Sequence, residues 1–516
     1  MPTQLSPLVR FSLMAGPIIY MVDSSVVNVA IPAMARDLSS PLATVQWTVS
    51  GYLLTSAAGI AASAWLARRF GTLRAYVVSM AGFTLASVAC AFAPTAQVLI
   101  LTRGVQGLLG AQLVPLSLGL LLGRGGAMRH MPASIGMIFF VAPALGPAVG
   151  GVLVGTLGWQ AVFWINAPIG VLAVLGLRSP DLSALGLSGS RDARLDLRGM
   201  VLLAGALTAG TYGATQGAER GWLGWSSLPW WLGAVPLVGA YFIWARRLRV
   251  RDRTPAVDLT LLADARLRLS VGLCAVAGVA LFSMEFLAPV FLQQVQGHSA
   301  TAVGLALMPQ GVTMGLATAL GKKAIERQAV RASVLSGMAL LAVSMLGLLL
   351  VGRSAPLGAT AVLLCGRGVA LGLIVPPLFG TLLSDLDAGR AADANTLVNA
   401  IERMSGAFGV ALLATFYQAR TAATGSGVTA LHESAIALAS VAAAGALLAL
   451  GLGDKRHGPS GRSAEFAAAD PGKAALVGAS EPAISATMGR SHPKPSGLAG
   501  PVRNDVESVP PTVRHG

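Results

Sequence analysis

Long apolar runs separated by short polar breaks follow one another from residue 10 to residue 452. Each run has about 20 residues, which is the length that an α-helix needs to cross the hydrocarbon core of a bilayer. The pattern therefore predicts an all-α integral membrane protein with fourteen spanning helices. The predicted spans cover residues 10–32, 45–67, 74–94, 98–122, 133–156, 161–178, 199–217, 229–246, 269–292, 302–321, 332–351, 358–383, 395–418 and 431–452.

The composition agrees with a membrane environment. Only 11% of the residues are charged and 54% are hydrophobic, whereas a soluble domain has about 25% charged residues. The net charge of +15 could indicate a nucleic-acid partner, but such proteins concentrate basic residues on one face of a folded domain. Here the arginines lie in short clusters between apolar runs, so no nucleic-acid partner is expected.

The basic clusters also predict the orientation of the chain, because cytoplasmic loops of membrane proteins are enriched in lysine and arginine. With a cytoplasmic N-terminus, the fourteen spans place the basic segments 246–253 and 322–331 on the cytoplasmic side. The outer loops then hold four arginines, which are Arg36, Arg220, Arg353 and Arg420. We expect a multi-pass protein of the inner or plasma membrane, with both termini in the cytoplasm.

The spans divide the chain into four predicted segments. Residues 1–180 form an N-terminal six-helix half, residues 181–254 a cytoplasmic linker with two extra helices, and residues 255–453 a C-terminal six-helix half. Residues 454–516 are rich in Gly, Pro, Ser and Ala and contain no apolar run of spanning length. Such a segment buries too little apolar surface to fold alone, so we expect a disordered cytoplasmic tail.

Charged residues inside the predicted spans are candidates for function, because a charge at the centre of a span costs about 2.5–3.5 kcal/mol on insertion scales. Asp23 precedes Arg103 by 80 residues, and Glu285 precedes Arg367 by 82 residues. Each pair puts an acid in the first helix and an arginine in the fourth helix of a six-helix half. The spacing predicts two parallel, repeated halves with a site at their interface, which is an architecture of transporters.

Three of these charges are predicted to couple proton binding to transport: Asp23, Arg103 and Glu285. A carboxylate inside the membrane can exchange a proton, and a nearby arginine changes the affinity for that proton. Structural roles stay open for two of them. Asp23 could serve as a hydrogen-bond partner, and backbone carbonyls could hold Arg103.

Further positions are candidates for the substrate cavity or for helix interfaces. Gln106 and Gly107 follow Arg103 at i+3 and i+4, on one side of the fourth helix. The other candidates are Asn28, Gly146, Pro147, Gly150, Arg367, Asn399 and Glu402. Small residues at four-residue spacing allow close helix packing, and polar residues can bond across helices. Packing and cavity lining therefore both remain open for these positions.

The chain carries no signature of an enzyme or of an ATP-driven pump. It has no HExxH metal motif, no G-x-S-x-G elbow in a soluble domain and no GxxxxGK[ST] phosphate loop. Cys90, Cys274 and Cys365 lie in apolar runs without paired spacing, which supports neither a disulfide nor a metal site. We expect no enzymatic activity, no metal and no cofactor.

Four segments resemble motifs of the major facilitator superfamily, specifically of its fourteen-span drug:proton antiporters. They are Asp23–Pro32 in the first predicted helix, Leu101–Gly107 in the fourth, Gly146–Gly151 in the fifth and Trp159–Gly170 at the start of the sixth. The resemblance implies the major facilitator fold, with helices arranged as 6+2+6, and export in exchange for protons. It also implies that Arg103 takes part in proton transfer and that the fifth-helix motif belongs to an exchanger.

The chain departs from the family pattern at several positions. After the second helix, Arg68 stands where the family has an acid that supplies a charge latch. Gln160 stands in place of an arginine, and Glu402 followed by Arg403 stands in place of an Arg-Gln pair. We therefore expect that the charge latch of this loop does not form in the usual way.

A proton-coupled antiporter that exports amphipathic, drug-like or toxic small molecules unites these features. Its partners would be protons, a small-molecule substrate and the lipid bilayer, and it would act as a monomer. Two alternatives remain open. One is a dedicated exporter of a single endogenous metabolite, and the other is a membrane sensor that has lost transport.

Overall fold

The computed structural model describes residues 6–122, 133–177, 195–221, 224–251, 253, 255–384 and 388–452. Residues 181–194 of the predicted linker and the predicted tail at 454–516 lie outside these ranges. Within the described ranges, all regular secondary structure is helical, as the apolar runs predict.

In the described ranges before residue 178, the helices are arranged as six rods. They are α1 (Pro7–Asp37), α2 (Leu42–Val45), α3 (Trp47–Phe70), α4 (Thr72–Ala91), α5 (Ala96–Gly110), α6 (Leu113–Leu122), α7 (Ala133–Leu157), α8 (Ala161–Trp164) and α9 (Asn166–Gly176). Only one or two residues separate α2 from α3, α5 from α6, and α8 from α9. Each of these pairs overlaps one predicted span.

The helices after residue 194 are longer and mostly continuous. They are α10 (Leu197–Arg220), α11 (Leu228–Val250), α12 (Ala265–Gln294), α13 (Ala300–Glu326), α14 (Val330–Gly347), α15 (Leu357–Ser384), α16 (Ala388–Thr424) and α17 (Gly427–Ala449), with short 3₁₀ helices at Leu259–Ala263 and Leu348–Leu350. The predicted span 395–418 was too short for α16. Polar residues at both ends of α16 continue its backbone hydrogen bonding beyond the apolar run.

Side-chain oxygens mark the starts of several helices. Thr95 accepts a hydrogen bond from the N–H of Val98 at the start of α5, and Ser299 and Ser426 do the same for α13 and α17. The first N–H groups of a helix have no partner within it, so such residues stabilise the helix start. The polar breaks between the apolar runs therefore also determine where the helices begin.

The hydropathy of the helices identifies a multi-pass membrane protein. In the described part of the chain, eleven helical segments are long and apolar enough to cross a membrane. Two further apolar segments, Leu145–Leu157 and Ala161–Gly176, are shorter.

The packing of the helices repeats between the two ends of the chain. Helix α1 packs against α7 and α9, and α12 packs in the same way against α16 and α17. Helices α3 and α4 both pack against α5, as α13 and α14 do against α15. We call α1–α9 the first half and α12–α17 the second half. The repeat places α1, which holds Asp23, and α12, which holds Glu285, at corresponding positions in the two halves.

In the described part of the chain, the most extensive contacts between the halves are those of α7 with α13 and of α3 with α16. Thr301 on α13 donates a hydrogen bond to the carbonyl of Gly151 at 3.0 Å, and an added Cβ at Gly304 would overlap the carbonyl oxygen of Pro147. Ser50 on α3 donates to the carbonyl of Ala407 on α16 at 3.1 Å. Glycine therefore allows the α7 and α13 backbones to approach closely.

Helices α10 and α11 pack against each other, and α10 also contacts α3 and α16. At the C-terminal end of α11, Arg249 forms an ion pair with Asp258 and lies 3.9 Å from Asp393 on α16. Asp258 is buried, and Arg68 lies in the same small pocket with Asp258 and Asp393. Two acids from outside the α3–α4 loop thus line the same pocket as the arginine that replaces the family's loop acid.

Replacing Arg249 with glutamine is expected to lower the free energy of unfolding by about 1 kcal/mol or less, because a partly exposed ion pair is screened by solvent. Arg249 is 43% exposed and Asp258 is 3% exposed. Thermal unfolding in detergent measures the change. Arg247→Gln is the matched control, since Arg247 is exposed in the same last turn of α11. Equal loss in both variants would show that the ion pair contributes nothing.

Candidate functional site

A buried charge network lies in the centre of the first half. Helix α1 contributes Asp23, α5 contributes Arg103 and Gln106, and α9 contributes Asn166. Arg103 and Gln106 are three residues apart, so they lie on the same face of α5. The packing of α1 against α9 places Asn166 beside the same carboxylate.

Three side chains donate hydrogen bonds to the Asp23 carboxylate. Arg103 Nη1 donates to Oδ2 at 2.6 Å, while Gln106 Nε2 and Asn166 Nδ2 donate to Oδ1 at 3.0 and 2.8 Å. All four side chains are at most 1% exposed. A buried ion pair is tolerated only when its geometry is good and further hydrogen bonds satisfy the remaining polar atoms. This network meets both conditions.

The network extends outward from Arg103. Its Nε donates to the carbonyl of Thr48 at 3.3 Å, and its guanidinium carbon lies 3.9 Å from the centre of the Tyr52 ring. A guanidinium over an aromatic face is stabilised by a cation–π interaction. Arg103 therefore joins α5 to α1 through charge and to α3 through a ring and a carbonyl.

Asn166 is missing from the predicted site residues. It also donates to Ser87 Oγ at 2.9 Å, and Ser87 donates to the carbonyl of Phe163 at 2.9 Å. Asn166 belongs to the quoted motif Trp159–Gly170, and an asparagine within an apolar run was the signal that could have identified it. Ser87 has no comparable signal, because small hydroxyl residues are common in membrane helices.

The predicted glycines bring the network together by close packing. A Cβ at Gly107 would lie against the carbonyl of Tyr52, and one at Gly146 would overlap Ser25. A Cβ at Gly150 would lie 2.7 Å from the carbonyl of Val26. These positions therefore hold α5 against α3 and α7 against α1, on both sides of Asp23.

The corresponding charges of the second half are arranged differently. Arg367 is fully buried and donates to the carbonyls of Ala280 and Leu281 on α12. Its Nε and Nη1 atoms have no hydrogen-bond partner among the described residues. Glu285 interacts electrostatically with Arg367, but the ion pairs of the described residues do not include this pair.

Helix α16 adds two more charges inside the bundle. Glu402 and Arg403 are partly exposed although they lie near the middle of the helix, and Glu285 interacts electrostatically with both. The Arg403 guanidinium carbon lies 5.4 Å from the centre of the Tyr20 ring and 5.5 Å from that of Phe282. Arg403, which was not a predicted site residue, thus reaches from the second half to α1 of the first.

Two predicted cavity residues bond within their own helices. Asn28 Nδ2 donates to the carbonyl of Ser24 at 3.2 Å, and Asn399 Nδ2 donates to the carbonyl of Asn395 at 2.8 Å. These bonds satisfy part of each amide without a partner helix. Among the described residues, no group of three or more His, Cys, Asp and Glu is placed to hold a metal ion.

Comparisons with known proteins agree with this architecture. Residues 13–410 match the family model described as the Major Facilitator Superfamily. The chain is 32% identical over 431 residues to the multidrug resistance protein Stp of Mycobacterium tuberculosis (strain CDC 1551 / Oshkosh), covering 82% of this chain and 77% of that protein. It is 32% identical over 420 residues to a probable actinorhodin transporter of Streptomyces coelicolor, covering 78% and 71% of the two chains.

A solved structure shows the same fold. The crystal structure of a D-xylose–proton symporter superposes with a TM-score of 0.62 and covers 87% of this chain and 98% of its own, at 12% identity. The family match spans the helices that hold Asp23, Arg103, Glu285 and Arg367. The chain therefore belongs to the Major Facilitator Superfamily and is a membrane transporter, not an enzyme.

Proposed function

We propose that this transporter is a proton-coupled antiporter that exports amphipathic, drug-like or toxic small molecules. The observation that carries the proposal is the ion pair of Asp23 and Arg103, which is buried at the middle of α1 and α5. Charged residues inside membrane helices are costly and are retained at ion and substrate pathways. In this proposal, Asp23 is the site that takes up and releases the transported proton.

Protonation of Asp23 would remove the negative partner of Arg103. The guanidinium would keep its contacts with the Thr48 carbonyl, the Gln106 amide oxygen and the Tyr52 ring. The hydrogen bond to Asp23 would weaken, because charge-assisted hydrogen bonds are stronger than neutral ones. Protonation thus weakens the contact between α1 and α5. Both helices belong to the first half, which moves against the second half in alternating access.

The second half offers a place for substrate next to this site. Glu285, Glu402 and Arg403 lie within the bundle and are partly exposed, and the rings of Tyr20 and Phe282 flank Arg403. Aromatic faces beside a few polar groups suit amphipathic molecules. The name of the mycobacterial relative, a multidrug resistance protein, supports the same substrate class.

The proposed topology has fourteen spans arranged as 6+2+6, with both termini in the cytoplasm and the protein acting as a monomer in the plasma membrane. The repeated packing within α1–α9 and within α12–α17, with α10 and α11 between them in the chain, supports this arrangement. The basic loop segments support the orientation. Under this topology, the end of the bundle that holds Asp37 and Ala423 faces outward.

Replacing Asp23 with asparagine is expected to abolish exchange of substrate for protons, because the amide cannot release a proton. The experiment uses purified protein in liposomes that contain a pH-sensitive dye, with ethidium as an amphipathic probe. Wild-type protein should move protons when ethidium is added, and the variant should move none above protein-free liposomes. Asp37→Asn is the control, because Asp37 is exposed at the end of α1.

Two outcomes would contradict the proposal. Ethidium flux in the wild type without proton movement would exclude coupling, and unchanged coupling in Asp23→Asn would exclude Asp23 as the proton site. Binding of a panel of amphipathic compounds without flux of any of them would favour the sensor alternative.

A dedicated exporter of one metabolite is the second candidate. The name of the Streptomyces relative, a probable actinorhodin transporter, favours it. The two functions differ in the breadth of the substrates and not in the proton site. Competition between ethidium and unrelated amphipathic compounds for efflux would support the broad substrate range, and its absence would support the dedicated exporter.

A further inference from the structure

Two arginines from opposite halves enclose a pair of stacked tyrosines. The Arg103 guanidinium lies 3.9 Å from the ring centre of Tyr52. The rings of Tyr52 and Tyr20 are stacked, with their centres 6.0 Å apart and their planes at 27°, and Arg403 lies 5.4 Å from the ring centre of Tyr20. We call Arg103, Tyr52, Tyr20 and Arg403 the arginine–tyrosine stack. It runs from α5 through α3 and α1 to α16, and so crosses from one half to the other.

We propose that Arg403 is a positioning residue that transmits the charge state of Asp23 to the second half through the arginine–tyrosine stack. The inference rests on the proposed proton-coupled function, in which Asp23 changes its charge during transport. It assigns a role to an arginine that is not among the predicted site residues.

The burial of the stack makes its charges sensitive to one another. Tyr20 is 2% exposed and Tyr52 is 1% exposed, so the space between the two guanidinium groups is filled by rings and not by water. Charges act over longer distances in such surroundings, because the effective dielectric constant is lower than that of water. In the conformation described here, the Asp23 carboxylate balances the charge of Arg103, with 2.6 Å between Oδ2 of Asp23 and Nη1 of Arg103.

The positive charge of Arg403 is balanced less closely by acidic groups than that of Arg103. Arg403 interacts electrostatically with Glu402 on its own helix and with Glu285 on α12, among other groups. Glu285 in turn interacts with Arg367 on α15. The ion pairs of the described residues include none for Arg403. On the other side, Asp23 also interacts with Cys90 on α4. Neutral Asp23 would therefore leave Arg103 and Arg403 as like charges across the tyrosine rings.

Buried polar atoms of the arginine–tyrosine stack that lack a hydrogen-bond partner also favour separation of the two halves. The hydroxyl groups of Tyr20 and Tyr52 and the Nε of Arg403 are buried without a hydrogen-bond partner in the described residues. A buried polar group without a partner costs free energy that water or a ligand can recover. Repulsion between the two arginines would add to this cost, so that the separated halves become more favourable when Asp23 is neutral.

The coupling is reciprocal by thermodynamic linkage. If neutral Asp23 favours separation of the halves, then the separated conformation binds the proton more tightly than the conformation described here. In this conformation, the two halves are in contact at the end near Asp37, since the N–H of Ala43 on α2 donates to Gln418 of α16 at 3.2 Å. A proton would then be taken up while this end is open and released after it closes, as antiport requires.

A double-mutant cycle on conformation tests the proposal directly. Spin labels are attached at Asp37→Cys and Ala423→Cys, which are exposed positions on α1 and α16, after the native Cys90, Cys274 and Cys365 have been replaced with alanine. Distance distributions are recorded for the full chain in lipid nanodiscs. Asp23→Asn represents the protonated state, and it is combined with Arg403→Gln and with Arg403→Lys.

We expect Asp23→Asn to raise the ratio of the long-distance to the short-distance population about sixfold when Arg403 is present, as two unit charges about 15 Å apart along the stack would at an effective dielectric constant of 20. With Arg403→Gln the effect should fall below about twofold, because the second charge is gone. Arg403→Lys keeps the charge and should restore most of the effect. Thermal unfolding of each variant in detergent checks that the fold is retained.

An equal shift with arginine and with glutamine at position 403, or no shift at all with Arg403 present, would overturn the inference. So would a lysine variant that behaves like the glutamine variant. The liposome exchange experiment separates this result from the proposed function. If the wild type shows proton-coupled exchange and the effects of the Asp23 and Arg403 substitutions are additive, only the role of Arg403 is excluded. If the wild type shows no exchange, the proposed function itself is excluded.

Discussion

Replacing Arg103 with methionine is expected to lower the free energy of unfolding by about 3–5 kcal/mol, because it leaves the Asp23 carboxylate buried without its charge partner. Asp23 is fully buried, and Gln106 and Asn166 would remain as its only donors in the described network. The same change should abolish proton-coupled efflux. Unfolding by heat in detergent and efflux of ethidium from cells measure the two effects.

A second substitution distinguishes the charge from the packing. The variant Asp23→Asn/Arg103→Met removes both charges, so it should recover most of the lost stability while efflux stays absent. Arg420→Gln is the matched control for loss of an arginine, because the ion pair of Arg420 with Glu433 is partly exposed and should contribute little. If Arg103→Met and Arg420→Gln had similar stabilities, the buried ion pair would not be a main support of the first half.

Replacing Gly304 with leucine is expected to prevent the close approach of α13 to α7 and to reduce efflux at least about tenfold. An added Cβ would overlap the carbonyl oxygen of Pro147 and lie 2.9 Å from the Cα of Gly151. These atoms belong to backbone, so they cannot rotate away as a flexible side chain could. Overpacking of this kind costs about 1–3 kcal/mol or more, and here the cost falls on the contact between the halves.

The control for Gly304→Leu is Gly239→Leu on α11, where no atom lies within 4 Å of an added Cβ. That variant should retain efflux and gain slightly in stability, since glycine is a poor helix former. Alanine at Gly304 should give a smaller loss than leucine. Unchanged efflux in Gly304→Leu would show that the halves can function without the closeness seen between α7 and α13.

The extent to which the site could be predicted differs between the halves. Asp23 and Arg103 were both candidates because a charge in an apolar run is rare and costly, and the structure brings them into direct contact. Glu285 and Arg367 have nearly the same spacing, yet Arg367 bonds to the carbonyls of Ala280 and Leu281 instead. Spacing along the chain indicates which helices carry the charges but not how each helix is rotated about its axis.

The prediction for the loop at Arg68 illustrates a second limit. The motif comparison indicated that the loop acid is missing, and that observation concerns one loop alone. The structure places Asp258 and Asp393 in the pocket that includes Arg68, with Arg249 from α11 between them. Arg68, Asp258 and Asp393 are far apart in the chain, and no local pattern relates them.

The sequence by itself determined that this chain is a helical membrane protein, because each apolar run must satisfy its own backbone hydrogen bonds inside the bilayer. It also identified the transporter motifs and the costly charges of the spans, which are properties of single residues and short segments. Only the tertiary structure decided that Asn166 completes the Asp23 network and that Arg403 crosses to Tyr20. Such contacts depend on how the helices pack and rotate against one another, and that information is distributed over the whole bundle.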